Sequence, residues 1–146
     1  MEPRETSRRD FLCMTMTAAA AACTGCALTG SRTPDLVAEP DKGALRLSKA
    51  ESSDLLKREG SLLVAAKGSD CKILVVHLAD GRLFAVSAIC THRGCTVRYK
   101  SETGHVVCPC HGSRFGLDGS ILRGPAKSPL AHYEVRTENG QVVVTL

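Results

Sequence analysis

Cys90-Thr91-His92-Arg93-Gly94-Cys95, followed by Cys108-Pro109-Cys110-His111-Gly112-Ser113-Arg114-Phe115, is the stretch on which the reading of this 146-residue chain turns. Fifteen residues separate His92 from Cys108. Each cluster offers a Cys and a His at nearly the same offset, C-x-H and C-x-x-H, and each holds a second Cys. Cys90, His92, Cys108 and His111 make a soft-to-borderline donor set on two loops, able to hold a metal centre.

The pattern resembles the Rieske iron–sulfur family, whose signature is C-T-H-x-G-C with C-P-C-H-G-S. The resemblance implies a [2Fe–2S] cluster, with Cys90 and Cys108 on the inner iron and His92 and His111 on the outer one. It also implies a disulfide between Cys95 and Cys110 that clamps the two loops, a mark of the family's high-potential branch. Ser113 matches the family serine whose hydroxyl donates to a bridging sulfide, an interaction that favours the reduced cluster. Phe115 departs from the tyrosine of the highest-potential members and cannot donate. A potential below the top of the family range is therefore expected. A zinc site is the competing reading. Structural zinc normally uses C-x₂₋₄-C knuckles, however, and leaves the extra cysteines and the Gly112-Ser113 pair unexplained.

The chemistry suits the donors that the family uses. Two ferric ions, two sulfides and two thiolates sum to zero charge, because neutral imidazoles add none. A neutral centre accepts an electron more readily than a four-thiolate one, which raises the potential by hundreds of millivolts. Iron also acidifies the free ring nitrogen of each His, and reduction weakens that effect. Electron uptake is thereby coupled to proton uptake near neutral pH.

Working outward, strand-like segments bracket both loops. Ile73-Leu74-Val75-Val76 is a buried-type run within Lys72 to Leu78, preceded by Ser61 to Ala66. Asp80-Gly81 signals a hairpin into Leu83-Phe84-Ala85-Val86, which delivers the chain to Cys90. Val97-Arg98-Tyr99 and His105-Val106-Val107, around a turn at Glu102-Thr103-Gly104, predict a second hairpin carrying the other loop. Asp118-Gly119 turns the chain into Ser120-Ile121-Leu122. Gly124-Pro125-Ala126-Lys127-Ser128-Pro129 resembles the family's proline loop, with Lys127 where Pro is usual. His132 to Arg136 and Gln141 to Leu146 read as terminal strands around Asn139-Gly140, and Ser48 to Leu56 as a short helical segment. The expected fold is all-β: small antiparallel sheets with a two-loop cluster-binding subdomain. His77, His105 and His132 read as surface or satisfied groups, and Cys71 as a thiol that is not a ligand. Arg93 and Arg114 flank the loops and could guide an acidic partner, although ordinary solvated charge explains them as well.

The rest of the chain reads as a signal (1–30), a linker (31–44) and the domain (45–146). Ser7-Arg8-Arg9-Asp10-Phe11-Leu12 resembles the twin-arginine (Tat) export motif, and Cys13 to Leu28 is a weak apolar stretch. Tat exports folded proteins, which suits a cluster inserted before export and a disulfide formed afterwards. Retention as an anchor, lipidation at Cys23 or Cys26, and cleavage near Ala27 all remain open. Pro34, Pro40 and Gly43 suggest the linker. Aromatics are 3% of the chain and the net charge is +4, with no basic run suited to nucleic acid.

The resemblance implies electron transfer without catalysis by this chain alone. The leading expectation is the iron–sulfur subunit of a quinol–cytochrome oxidoreductase, exported to the periplasm and membrane-associated, with quinol and a cytochrome b/c-type protein as partners. The alternative is the periplasmic small subunit of a molybdenum oxidoreductase of the arsenite oxidase type, or a free-standing carrier. A Rieske oxygenase needs a second iron site with two His and a carboxylate, and the chain has no residues left for one.

Overall fold

The computed structural model describes residues 34–57 and 60–146. The described chain is nearly all β. In order it forms β1 (Leu36–Ala38), β2 (Pro40–Asp41), β3 (Ala44–Arg46), α1 (Lys49–Lys57), β4 (Gly60–Ala66), β5 (Lys72–His77) and β6 (Leu83–Ser87). Then follow β7 (Arg98–Lys100), β8 (His105–Val107), β9 (Arg114–Phe115), β10 (Ile121–Arg123), β11 (His132–Tyr133), β12 (Val135–Glu138) and β13 (Gln141–Thr145). Three sheets result, with orders β1-β4-β5-β6-β11, β10-β9-β8-β7 and β12-β13-β3-β2.

The five-stranded sheet is covered on both faces, which is why β5 reads as an unbroken apolar run. Successive side chains alternate faces. Leu74 and Val76 join one core with Val106, Cys108 and Phe115. Ile73 and Val75 join the other with Leu45, Leu55, Val142 and Val144. The first core carries the ligand loops. The second is a foundation built from α1 and the third sheet.

Hairpin chemistry places the strands. Gly81 turns β5 into β6 at φ +85°, in register from Ile73↔Ser87 to His77↔Leu83. Asn139 and Gly140, both at positive φ, make the two-residue loop between β12 and β13. α1 begins with a reciprocal cap: the Glu51 N–H donates to Ser48 Oγ (3.3 Å), and the Ser48 N–H to the Glu51 carboxylate (2.8 Å). The buried Ser52 hydroxyl then ties α1 to the sheet. It donates to the Leu47 carbonyl (3.3 Å) and accepts the Val142 N–H (2.9 Å). Ser52→Ala strips the buried Val142 N–H of its acceptor and leaves the Leu47 carbonyl to the Gln141 side-chain amide alone. It should cost about 1–3 kcal/mol in urea denaturation; an unchanged midpoint would show that these groups find other partners.

The structure differs from the sequence reading at two places. The described part of the 31–44 segment is paired backbone rather than linker. β1 lies parallel to β4, Asp35 exchanges hydrogen bonds with Leu63, and Ala38 is buried. Among the described residues this is also the one parallel pairing between otherwise antiparallel strands. The strand expected over His132 to Arg136 divides at Glu134. β11 pairs with β6 in one sheet, and β12 with β13 in another. The signal reading of 1–30 lies outside the described residues.

Candidate metal centre

The two ligand loops are the same backbone turn made twice. In the first, the Cys90 N–H donates to the Cys95 carbonyl and the Gly94 N–H to the Cys90 carbonyl, each at 2.8 Å. In the second, the Cys108 N–H donates to the Ser113 carbonyl (2.8 Å) and the Gly112 N–H to the Cys108 carbonyl (3.0 Å). Both closures need a left-handed residue four places after the first Cys. Gly94 and Gly112 supply it at φ +73° and +75°. The shared C-x₃-G spacing is legible in the sequence, and it marks this duplication.

Each loop is rooted in a strand. The first leaves β6 and is closed by a bridge between Ile89 and Thr96. The second joins β8 to β9, which pair at Val107↔Arg114. A disulfide joins Cys95 to Cys110, as the resemblance implied. The Sγ atoms of Cys95, Cys108 and Cys110 lie within 4.8 Å of one another. The disulfide consumes two of these sulfurs, so it stands against the Cys108 thiol without competing for a metal.

The four sequence-picked donors separate by depth. Cys90 and Cys108 are 2% and 1% exposed, within the first core. Burial is the main cause pushing the Cys90 thiol up, the Cys108 thiol adds to the rise, and the His92 and Arg93 N–H groups oppose it. Metals bind the thiolate, and buried thiolates are costly without a cation. His92 is half-buried and His111 exposed. Their rings stand edge to face, with centroids 4.8 Å apart. Burial, then the His111 and Arg93 charges, hold the His92 imidazole below its ordinary value. Its Nδ1 is buried without a hydrogen-bond partner among the described residues. An orphaned buried nitrogen is unfavourable, and metal ligation removes the cost. Two buried thiols beneath two adjacent imidazoles, one with a stranded nitrogen, fit a two-metal centre with a thiolate side and an imidazole side.

A third segment braces both loops, and sequence reading gave neither contact. The Thr91 hydroxyl donates to the Ser128 carbonyl (2.6 Å), and the Ala126 N–H donates to the Ser113 hydroxyl (3.0 Å). The 124–129 segment is held from below at Gly119. A Cβ there would meet the Leu130 carbonyl at 2.4 Å, and the Leu130 N–H bonds the Gly119 carbonyl. Ser113 is fully buried. Because its oxygen accepts from Ala126, its own hydrogen stays available to donate. Phe115 is fully buried beside Cys108 in the first core and offers hydrocarbon alone.

The other candidates stand apart from this constellation. Cys71 is half-buried with Sγ 3.9 Å from the Tyr133 hydroxyl. His105 pairs across from Lys100, and His132 from Val86. No helix among the described residues is long and apolar enough to cross a membrane.

Residues 47–134 match the family model of the Rieske [2Fe-2S] domain. The chain is 45% identical over 78 residues to the cytochrome b6-f complex iron-sulfur subunit of Chlorobaculum tepidum, covering 53% of this chain and 42% of that protein. It is 45% identical over 85 residues to the chloroplastic subunit of Pisum sativum, covering 57% and 37%. The chain thus spans less than half the length of these curated relatives. Among solved structures, the cyanobacterial plasma membrane Rieske protein from Synechocystis PCC 6803 aligns with a TM-score of 0.54 at 35% identity. That alignment covers 62% of this chain and 91% of that one. The ferredoxin of carbazole 1,9a-dioxygenase from Nocardioides aromaticivorans shares the fold, with a TM-score of 0.58 at 22% identity over 71% and 98%.

Proposed function

The chain belongs to the Rieske [2Fe-2S] family of electron-transfer proteins, and from that premise we propose that it is the iron–sulfur subunit of a quinol–cytochrome oxidoreductase. The disulfide between Cys95 and Cys110 carries the reading, since within the family it accompanies the high-potential branch. The similarity to cytochrome b6-f iron–sulfur subunits supports it. The proposed ligands are Cys90 and Cys108 for the inner iron, and His92 and His111 for the outer iron.

When bound, the cluster supplies a one-electron couple. The protein's share is positional. The thiol pair is held in the dry core, and the imidazoles lie toward solvent. His111, exposed at the tip, is where a donor's hydroxyl would hydrogen-bond. The doubled turn, the disulfide and the 124–129 segment fix both loops in place.

Export through the twin-arginine route to the periplasm, with membrane association, is the matching location. Its support is Ser7-Arg8-Arg9-Asp10-Phe11-Leu12 together with the likeness to a plasma membrane Rieske protein. The strand pairing of β1 to β3 supports a domain that begins ahead of residue 45. β1 pairs with β4, and β2 and β3 join the third sheet.

The deciding experiment is EPR on the purified protein as isolated, after ascorbate and after dithionite, with iron, zinc and labile sulfide assayed. A Rieske signal after ascorbate is expected. A signal that needs dithionite would refute the high-potential assignment, and zinc without sulfide would refute the cluster. Phe115 favours one second reading, the small subunit of a periplasmic molybdenum oxidoreductase. Affinity purification of the native complex separates the two: cytochrome b supports the first, a molybdopterin protein the second.

Ser113→Ala tests the hydroxyl. The Ala126 N–H loses its acceptor, and the cluster would lose the hydrogen bond we propose the Ser113 hydroxyl donates to it. A bond of ~1–2 kcal/mol corresponds to a fall in potential on the order of 60 mV for one electron. An unchanged potential in an EPR-monitored titration would remove Ser113 from the assignment.

A further inference from the structure

The outward face of the ligand-carrying sheet bears charges that the electron-transfer reading leaves unused. Directly paired residues on neighbouring strands share a face. The register runs Arg98↔Val107, Val107↔Arg114 and Arg114↔Arg123, one row across four strands. The adjacent row is Tyr99, Val106, Phe115 and Ile121. Val106 and Phe115 are fully buried, so that row faces the core and the arginine row faces out. With strands about 4.8 Å apart, the row is roughly 14 Å long.

Three features set this face apart. First, its arginines are exposed, and none makes an ion pair among the described residues. On the rest of the body Arg46 and Arg136 pair with Glu138, and Arg82 with Asp80. Residues 90–130 hold six Lys and Arg against two acids, a surplus of four that equals the net charge of the whole chain. Second, Arg114 and Arg123 stand directly opposite one another, a like-charge pair that destabilises a sheet. Third, the register shifts between Ile121 and Arg123, so Leu122 also opposes Arg114 and is 51% exposed there. Arginines around an exposed leucine and a half-buried Val107 have the composition of a protein-docking patch.

The location gives the patch a use. Val107 precedes Cys108 and Arg114 follows Ser113, so the row sits at the root of the second ligand loop. We propose that this face docks an acidic electron-transfer protein, whose carboxylates pair with Arg98, Arg114 and Arg123 around a contact at Leu122. The inference rests on the [2Fe–2S] reading and adds the chemistry of the partner. Guanidinium forks match carboxylates two bonds at a time. Apart from Leu122 and its neighbour Ile121, no large apolar side chain of this sheet is strongly exposed, so it lacks the broad apolar face that seats a protein in lipid.

The test uses the full chain with its cluster verified by EPR. Stopped-flow oxidation of the reduced protein is followed with an acidic plastocyanin, and with a basic c-type cytochrome as the opposite-charge control. We expect the plastocyanin rate to fall as salt rises. The triple variant R98Q/R114Q/R123Q should slow it at low salt by at least about tenfold. The cytochrome rate should not fall, and the EPR spectrum and potential should not change. A plastocyanin rate unaltered by the variant, or equal losses with both acceptors, would overturn the proposal. So would cosedimentation with phosphatidylglycerol vesicles that needs the three arginines while the plastocyanin rate does not, since the face would then meet membrane. Absence of the EPR signal from the wild type, seen before any acceptor is added, would instead overturn the cluster reading beneath it.

Discussion

Cys108→Ser is expected to leave a folded protein without a [2Fe–2S] cluster: no Rieske EPR signal, no labile sulfide and iron at background. The sulfur is 1% exposed, in the core with Val106 and Phe115, and serine offers a hard, protonated oxygen in place of a soft thiolate. Binding free energy at such a site is folding free energy, so the variant should also melt earlier, by on the order of 10 °C. Cys90→Ser should match it. Cys71→Ser, at a thiol whose neighbour is the Tyr133 hydroxyl, should retain full iron and sulfide. A normal EPR signal from Cys108→Ser would remove this residue from the ligand set, and cluster loss in Cys71→Ser would redraw the set altogether.

The second large effect belongs to the disulfide. Cys95 and Cys110 are 15 residues apart, and closing a loop of that size constrains the unfolded chain by ~3 kcal/mol. For a domain of this size that is a fall in melting temperature on the order of 10 °C for Cys95→Ala/Cys110→Ala. Reducing agent should impose a similar loss on the wild type. The cluster should survive at low temperature, because Thr91 to Ser128 and Ala126 to Ser113 still connect the loops through the 124–129 segment. Above the ambient range it should leave the variant first. A melting temperature unmoved by either treatment would mean that those two hydrogen bonds already hold the loops together.

The two Cys/His loops were legible in the sequence because their information is local: within each, the donors, the glycine and their spacing fall inside eight residues. The central hairpin was legible for the same reason, through Asp80-Gly81 and the apolar run of β5. What escaped reading is non-local. β1 to β3 are two or three residues long, too short for a period to show. Pro40 and Gly43 imitate a linker, while the partners that order this segment lie elsewhere, at Leu63 to Ala66 and Val143 to Thr145. The division at Glu134 is hidden because alternation continues across it while the pairing partner changes. The Ser48 to Leu56 pattern says nothing of Ser52 in particular, whose role exists only once Val142 arrives from 90 residues away. At the site, donor types and offsets were visible. Their depth, the stranded Nδ1 of His92 and the bracing by Thr91 and Ala126 were not.

β1, β4 and β6 all run in the same direction, since β1 is parallel to β4 and β5 is antiparallel to both β4 and β6. β1 therefore runs toward the end of the sheet from which the first Cys/His loop springs. A pull between the start of β1 and anything gripping that tip acts along the strand axes. The hydrogen bonds of a parallel pair slant but still bridge from strand to strand, so the β1–β4 bonds share such a load in shear instead of opening one after another. The direction of one three-residue strand thereby makes the edge of the sheet hold more firmly against a pull along its strands than against one across them.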